Sequence, residues 1–255
     1  MVGALAVFVG IQAIDRVRSS PPTPPQPPSV SPQGIADTAA ARAVEDVRVT
    51  EVTIETSRNE PPIVDTAAVR RILRDESAGT YMADMLAHQG NALMRWPDRR
   101  TNMRVWIDRT VSLPDWNPEY AVVAERAFEE WQQAGFPLRF DMIVEQRDVD
   151  IEILWIDRFP PANGQQIGNA KKTRDRHGWL LSTQIQVATH DSAGRPLPPS
   201  TVAGTVRHEV GHVLGLGHSN NPADVMYPES VTTVISEADR KTLRLLYMLP
   251  PGRVP

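Results

Sequence analysis

The sequence predicts a mixed α/β (α+β) domain, with a twisted mixed sheet lying above a histidine-bearing helix and a further helix closing the chain. Three observations predict it. Short runs rich in Val, Ile and aromatic residues recur at 103–107, 138–144, 150–156 and within Trp179–Thr189, and read as strands. Val122, Ala127, Phe128 and Trp131 recur at helical spacing, a core-facing stripe. The last third holds His208-Glu-Val-Gly-His-Val-Leu-Gly-Leu-Gly-His218, whose first part suits a helix from about Ser200 to Leu214.

Taken in order, residues 1–35 form a targeting or anchor segment and a linker. Residues 2–14 are apolar but shorter than the ~20 residues a bilayer span needs. They suit the apolar region of a signal peptide, although no basic residue precedes them, or a membrane tether. A buried terminal strand or helix is the plainer alternative. Export is expected, to an extracellular, periplasmic or membrane-tethered location. Ser19 to Pro28 contains six prolines, favours extended polyproline II and reads as a spacer. Residues 36–100 form an extension. Val47–Ile54 alternates as a strand does, Asp65 stands where it can cap a helix through Val69, Ile72 and Leu73, and a second helical stretch carries Tyr81, Met82, Met85 and Leu86. This extension reads as a prosegment or, preferably, as a structural apron on the domain formed by 101–255. In that domain, Pro118 after Asn117 opens a helix, and Ser236 with Asp239 makes a capping box for the last one.

The histidines carry the chemistry. His208 and His212, four apart, share one helix face, so their ring nitrogens can converge on one ion. Glu209 points about 100° around the helix, placed for a general base rather than a ligand. Gly215 permits the left-handed turn that ends a helix and returns His218 to the same point. Three nitrogen ligands leave a fourth position open, the pattern of catalytic zinc. A structural site is commonly closed by cysteine, and the chain has none.

The run 208–218, followed by Val225-Met226-Tyr227-Pro228, resembles the metzincin signature, and more narrowly that of the matrixins. Ala127-Phe128-Glu129-Glu130-Trp131, Pro137–Phe140, Asp150–Ile153 and Ile235–Asp239 resemble matrixin words in the same order, so the likeness covers about 101–248. The resemblance implies a metzincin-like catalytic domain and a zinc endopeptidase that cuts peptides or proteins with a metal-activated water and Glu209 as base. It implies that Met226 is a platform beneath the imidazoles. It also suggests that Gly178-Trp179-Leu180-Leu181 is a sheet edge that takes substrate at Leu180 and Leu181, with Pro228 at the pocket. The family's calcium-binding loops are not evident, so calcium has no clear site. Two other readings stay open, a zinc-retaining peptide-binding module without turnover and a small-molecule amide hydrolase.

The formal charge of −4 argues against a nucleic-acid partner. The densest basic cluster, Lys171, Lys172, Arg174 and Arg176, reads as a solvated loop, and His88, His177, His190 and Asp191 read as surface residues. Without cysteine there is neither a disulfide nor the thiol cap that keeps vertebrate-type matrixins latent.

Overall fold

The computed structural model describes residues 48–55, 59, 61–163, 165–230 and 232–255. The apolar run at 2–14 and the proline-rich run lie outside them. The chain order is β1 (Arg48–Ile54), α1 (Thr66–Glu76), α2 (Met82–His88), β2 (Ala92–Leu93), β3 (Met103–Ile107), α3 (Glu119–Gln132), β4 (Phe140–Ile143), β5 (Ile151–Ile156), β6 (Gly168–Asp175), β7 (Leu180–Ala188), α4 (Pro199–Val213), α5 (Glu237–Met248) and β8 (Gly252–Arg253). Among the described residues the main sheet runs β1-β6-β7-β5-β3-β4, and β2 pairs with β8 in a small ribbon.

The sheet is mixed. β3 pairs parallel with β4 and β5, β5 pairs parallel with β7, and β6 runs antiparallel to β7. β1 then lies parallel to β6. Alternation decides which face is covered: Met103, Val105 and Ile107 of β3 and Ile151, Ile153 and Trp155 of β5 are buried, with less buried residues between them. α3 brings Tyr120, Ala124, Phe128 and Trp131 to the same core. Its first turn is set by Asn117, whose Oδ1 accepts from Glu119 N at 2.9 Å, while Pro118 takes the cap position.

α3 and α4 pack together. Trp131 Nε1 donates to Arg207 O at 2.9 Å, and the Arg207 guanidinium meets both Glu130 oxygens at 2.5 and 2.7 Å. This two-point grip fixes α4 one residue before its first histidine. α1 starts on Asp65, whose carboxylate accepts from Ala67 N and Ala68 N, both at 3.0 Å. Tyr81, Met82, Met85, Leu93, Met94 and Trp96 enter the common core.

Two expectations need correction. Residues 168–175, which hold most of the basic cluster, are strand β6 and not a solvated loop, because backbone pairing on both sides holds them in the sheet and turns Lys172 inward to 1% exposure. The segment carrying Leu180 and Leu181 is no edge, because β7 lies between β5 and β6, and Leu180 is buried.

Candidate metal centre

α4 delivers His208 and His212 one turn apart and then stops abruptly. Leu216 N donates to Gly211 O and Gly215 N to His212 O, both at 3.0 Å, the paired bonds of a Schellman turn. Gly215 sits at φ +109°, and a Cβ there would meet Met94 O at 2.3 Å, so both the conformation and the space demand glycine. The carbonyls of Val213 and Leu214, left over by the helix, accept from Trp96 Nε1 at 2.8 Å and Tyr247 Oη at 3.0 Å. The chain then returns His218 to the other two rings.

The three Nε2 atoms converge, with His212 2.9 Å from His208 and 3.1 Å from His218. His208 Nδ1 lies 2.6 Å from Val225 O and His212 Nδ1 2.9 Å from Leu216 O. A carbonyl only accepts, so each Nδ1 carries the proton and each Nε2 turns its lone pair toward the common point. Burial lowers the His208 pKa to about 3, helped by the charge of His218. Burial, with the other two histidines, also holds His212 well below the ordinary value. His208 and His212, kept neutral by burial, and His218 beside them bring three ring nitrogens to one point, a donor set for a divalent cation that suits zinc.

Glu209 is fully buried, and neither carboxylate oxygen has a hydrogen-bond partner. Burial pushes its pKa well above the carboxylate range, against the pull of the Lys172 ammonium. A partnerless buried carboxylate is costly, and its presence beside three converging nitrogens fits a site built around a cation and its water. Gly168 of β6 makes room for it, since a Cβ there would lie 2.2 Å from Glu209 Oε1.

Met226 packs beneath α4 at Gly211, where a Cβ would meet its sulfur at 2.2 Å. Its loop is tied by Ser219 N to Met226 O at 2.9 Å and by Asp239, whose carboxylate accepts from Val225 N at 2.9 Å and Met226 N at 3.4 Å. Asp239 also accepts from Tyr81 Oη at 3.2 Å and from Ser236 N at 2.8 Å in the capping box.

The structure therefore brings His208, Glu209, His212, His218 and Met226 together, and Pro228 lines a cavity with His212 and His218. Leu180 and Leu181 are not brought to a sheet edge. His190 is no surface residue. It is 3% exposed, with Nδ1 3.0 Å from Asp157 Oδ1 and Nε2 3.6 Å from Asp115 Oδ2, so long-range acid partners bury it. Sequence reasoning missed Lys172, the space-making role of Gly168 and the reach of Asp239 to the Met226 loop. The alternation of β6 was the available signal, masked by its polar composition.

A family model described as matrixin, Peptidase M10, matches residues 111–248. The chain is 27% identical over 157 residues to matrix metalloproteinase-16 of Homo sapiens and of Mus musculus, covering 54% of this chain and 25% of each relative. It is also 27% identical over 165 residues to macrophage metalloelastase of Rattus norvegicus, covering 61% of this chain and 34% of the relative. The chain thus spans between a quarter and about a third of the length of these curated relatives.

Proposed function

The chain belongs to the matrixin family, and on that premise we propose that it is a zinc endopeptidase acting on peptides or proteins. His208, His212 and His218 would hold the ion through Nε2. When bound, zinc supplies a Lewis acid for the scissile carbonyl and brings the pKa of water toward about 7.

The remaining steps belong to the chain's own residues. A Glu209 oxygen accepts the proton of the attacking water and returns it to the leaving amine nitrogen, a role that suits a carboxylate kept basic by burial. The bonds from His208 and His212 to Val225 O and Leu216 O hold the ring tautomers through the cycle. Met226 supports the rings from below and is not a ligand. Residues 61–100 serve as a structural apron, because Tyr81 bonds to Asp239 and Trp96 to the end of α4. The apolar run at 2–14 supports export or tethering. No helix among the described residues is long and apolar enough to cross a membrane.

The observation that carries the reading is the convergence of three ring nitrogens beside a Glu209 whose carboxylate has no hydrogen-bond partner. The test compares zinc-loaded wild type with Glu209→Ala on a quenched-peptide library. Wild type is expected to cut, and the variant to bind zinc but lose about 10²–10⁴-fold or more in rate. Equal cleavage by both, or none by either at full zinc loading, defeats the peptidase reading. Cleavage confined to small amides points to the amide-hydrolase alternative.

A further inference from the structure

We propose that Lys172 is a specificity-determining residue that reads a carboxylate on the substrate, and that Glu51 of the chain's own β1 stands in for that carboxylate. The proposal rests on the peptidase reading and adds the charge of what is bound.

Strand periodicity places Lys172 in the same row of β6 as Gly168, the residue against Glu209, so both face the metal side. The Lys172 side chain is 2% exposed, and its ammonium lies 3.3 Å from Glu51 Oε1. Glu51 stands opposite it in the parallel β1–β6 register, and Arg174 Nε lies 3.8 Å from the other Glu51 oxygen. Glu51 and Lys172 line a cavity of about 270 Å³ together with His88, His212, His218 and Pro228. A carboxylate carried on an extended strand, added at the side of β6 that β1 now occupies, thus ends on the Lys172 cation in the same cavity as two of the three candidate metal ligands. Strand addition at a sheet edge is a common way to hold an extended peptide.

β1 is a poor permanent occupant of that edge. Residues 50–54 are all exposed, including Val52 and Ile54, and β1 supplies no residue to the hydrophobic core. What holds it is the backbone ladder, which any extended peptide can reproduce, the ion pairs of Glu51 and a 3.4 Å bond from Thr50 Oγ1 to Asn169 Oδ1. When β1 leaves, the Lys172 ammonium loses the Glu51 carboxylate at 3.3 Å, and a cation left without its ion-pair partner in the cleft is costly. A peptide bringing its own carboxylate removes that cost, and a neutral one does not. The carboxylate can come from an Asp or Glu side chain or from a peptide C-terminus, since both present the same two oxygens.

Binding is read first, on the zinc-loaded full chain carrying Glu209→Ala, by fluorescence anisotropy. Labelled peptide pools place Glu, or its neutral twin Gln, at each position in turn, with free or amidated C-termini. Pools with a favourably placed Glu are expected to bind about tenfold tighter than their Gln twins. A preference that follows the free C-terminus instead assigns the carboxylate to the chain end and supports the same residue. Lys172→Met is expected to bring the ratio near one. Glu51→Gln, a change on an exposed strand, is expected to raise affinity for acidic peptides several-fold by disabling the resident competitor; a merely structural ion pair gives no such gain. Equal binding of acid and amide twins, a preference that survives Lys172→Met, or no gain with Glu51→Gln overturns the proposal. If Lys172→Met does not fold, the acid–amide comparison and Glu51→Gln decide alone. Charge-selective binding without cleavage by wild type would leave Lys172 in its role and remove the peptidase reading.

Discussion

The floor and the wall of the candidate metal cleft are built in opposite ways. On the floor, side chains from distant parts of the sequence tie down the last turn of α4 and the Met226 loop: Trp96 on Val213 O, Tyr247 on Leu214 O, and Asp239 on Val225 N and Met226 N. His208, Glu209 and His212 are 3% exposed or less. The wall is β6 with β1 laid along it, an exposed strand held by a ladder and the contacts of Glu51. The contrast teaches where rigidity is spent. On the proposed reading, ligands held to fractions of an ångström call for a floor with many ties. A wall that takes up a peptide calls for a strand that can be exchanged, which fits the exposure of β1.

The sharpest way to break this contrast is to disturb the floor from the wall. Gly168→Val places a Cβ where Glu209 Oε1 now lies, with Thr205 close behind. The carboxylate must move, and because Thr205 on α4 is pressed at 2.6 Å as well, zinc content is measured beside turnover to tell a displaced base from a displaced helix. Turnover is expected to fall about 10²-fold or more with zinc still stoichiometric by elemental analysis. Normal activity would mean that Glu209 works from another position.

Acid sets apart the titrating floor. The folded His208 pKa, about 3, lies below its unfolded value of 6.5. The unfolded chain therefore binds a proton through this window that the folded chain refuses, and stability falls as pH falls. The contribution of the neutral ring is complete above about 6.5 and drains away toward about 3, with His212 shifted in the same direction. Denaturant unfolding of zinc-free Glu209→Gln, which removes the opposing contribution of the raised Glu209 carboxyl, at steps through that window is expected to show the decline. A flat profile would show that the folded rings accept protons freely.

Asp239→Asn probes the tie between the last helix and the Met226 loop. One carboxylate oxygen accepts from Val225 N and Ser236 N, the other from Tyr81 Oη and Met226 N, and an amide can serve as acceptor at only one of them. A loss of about 1–3 kcal/mol in unfolding free energy is expected. A loss under about 0.5 kcal/mol would show the loop to be held by its other contacts.

The histidines and turn of the floor were legible in the sequence because their own specification is local, while the ties that Trp96 and Tyr247 bring from afar were not. The spacing of His208 and His212, the turn at Gly215 and the capping box of Ser236 and Asp239 each lie within a few residues. What escaped is long-range. β6 reads Gly-Asn-Ala-Lys-Lys-Thr-Arg-Asp, with too little apolar alternation to announce a strand, and the ion-pair partner of Lys172, Glu51, arrives from more than a hundred residues away. The resemblance places Leu180 and Leu181 at an edge, but whether a strand is an edge depends on which others come to lie beside it. His190 is hidden for the same reason, by Asp115 and Asp157. Asp239 was read as a cap, and its second function depends on a loop whose position no local pattern gives.

The gentlest test is made on the wall itself. Val52 and Ile54 are 41% and 38% exposed, so replacing each by Thr removes little buried surface and keeps a β-branched residue suited to a strand. The double variant is expected to stay within about 0.5 kcal/mol of wild type in denaturant unfolding, as surface changes away from special features do. Together with a loss of about 1–3 kcal/mol for Asp239→Asn, that result would put a measured gap between floor and wall. A loss above about 2 kcal/mol for Val52→Thr with Ile54→Thr would make β1 an integral strand of the sheet. The strand would then be too firmly held to give way to a peptide, and the distinction between a fixed floor and an exchangeable wall would fall with it.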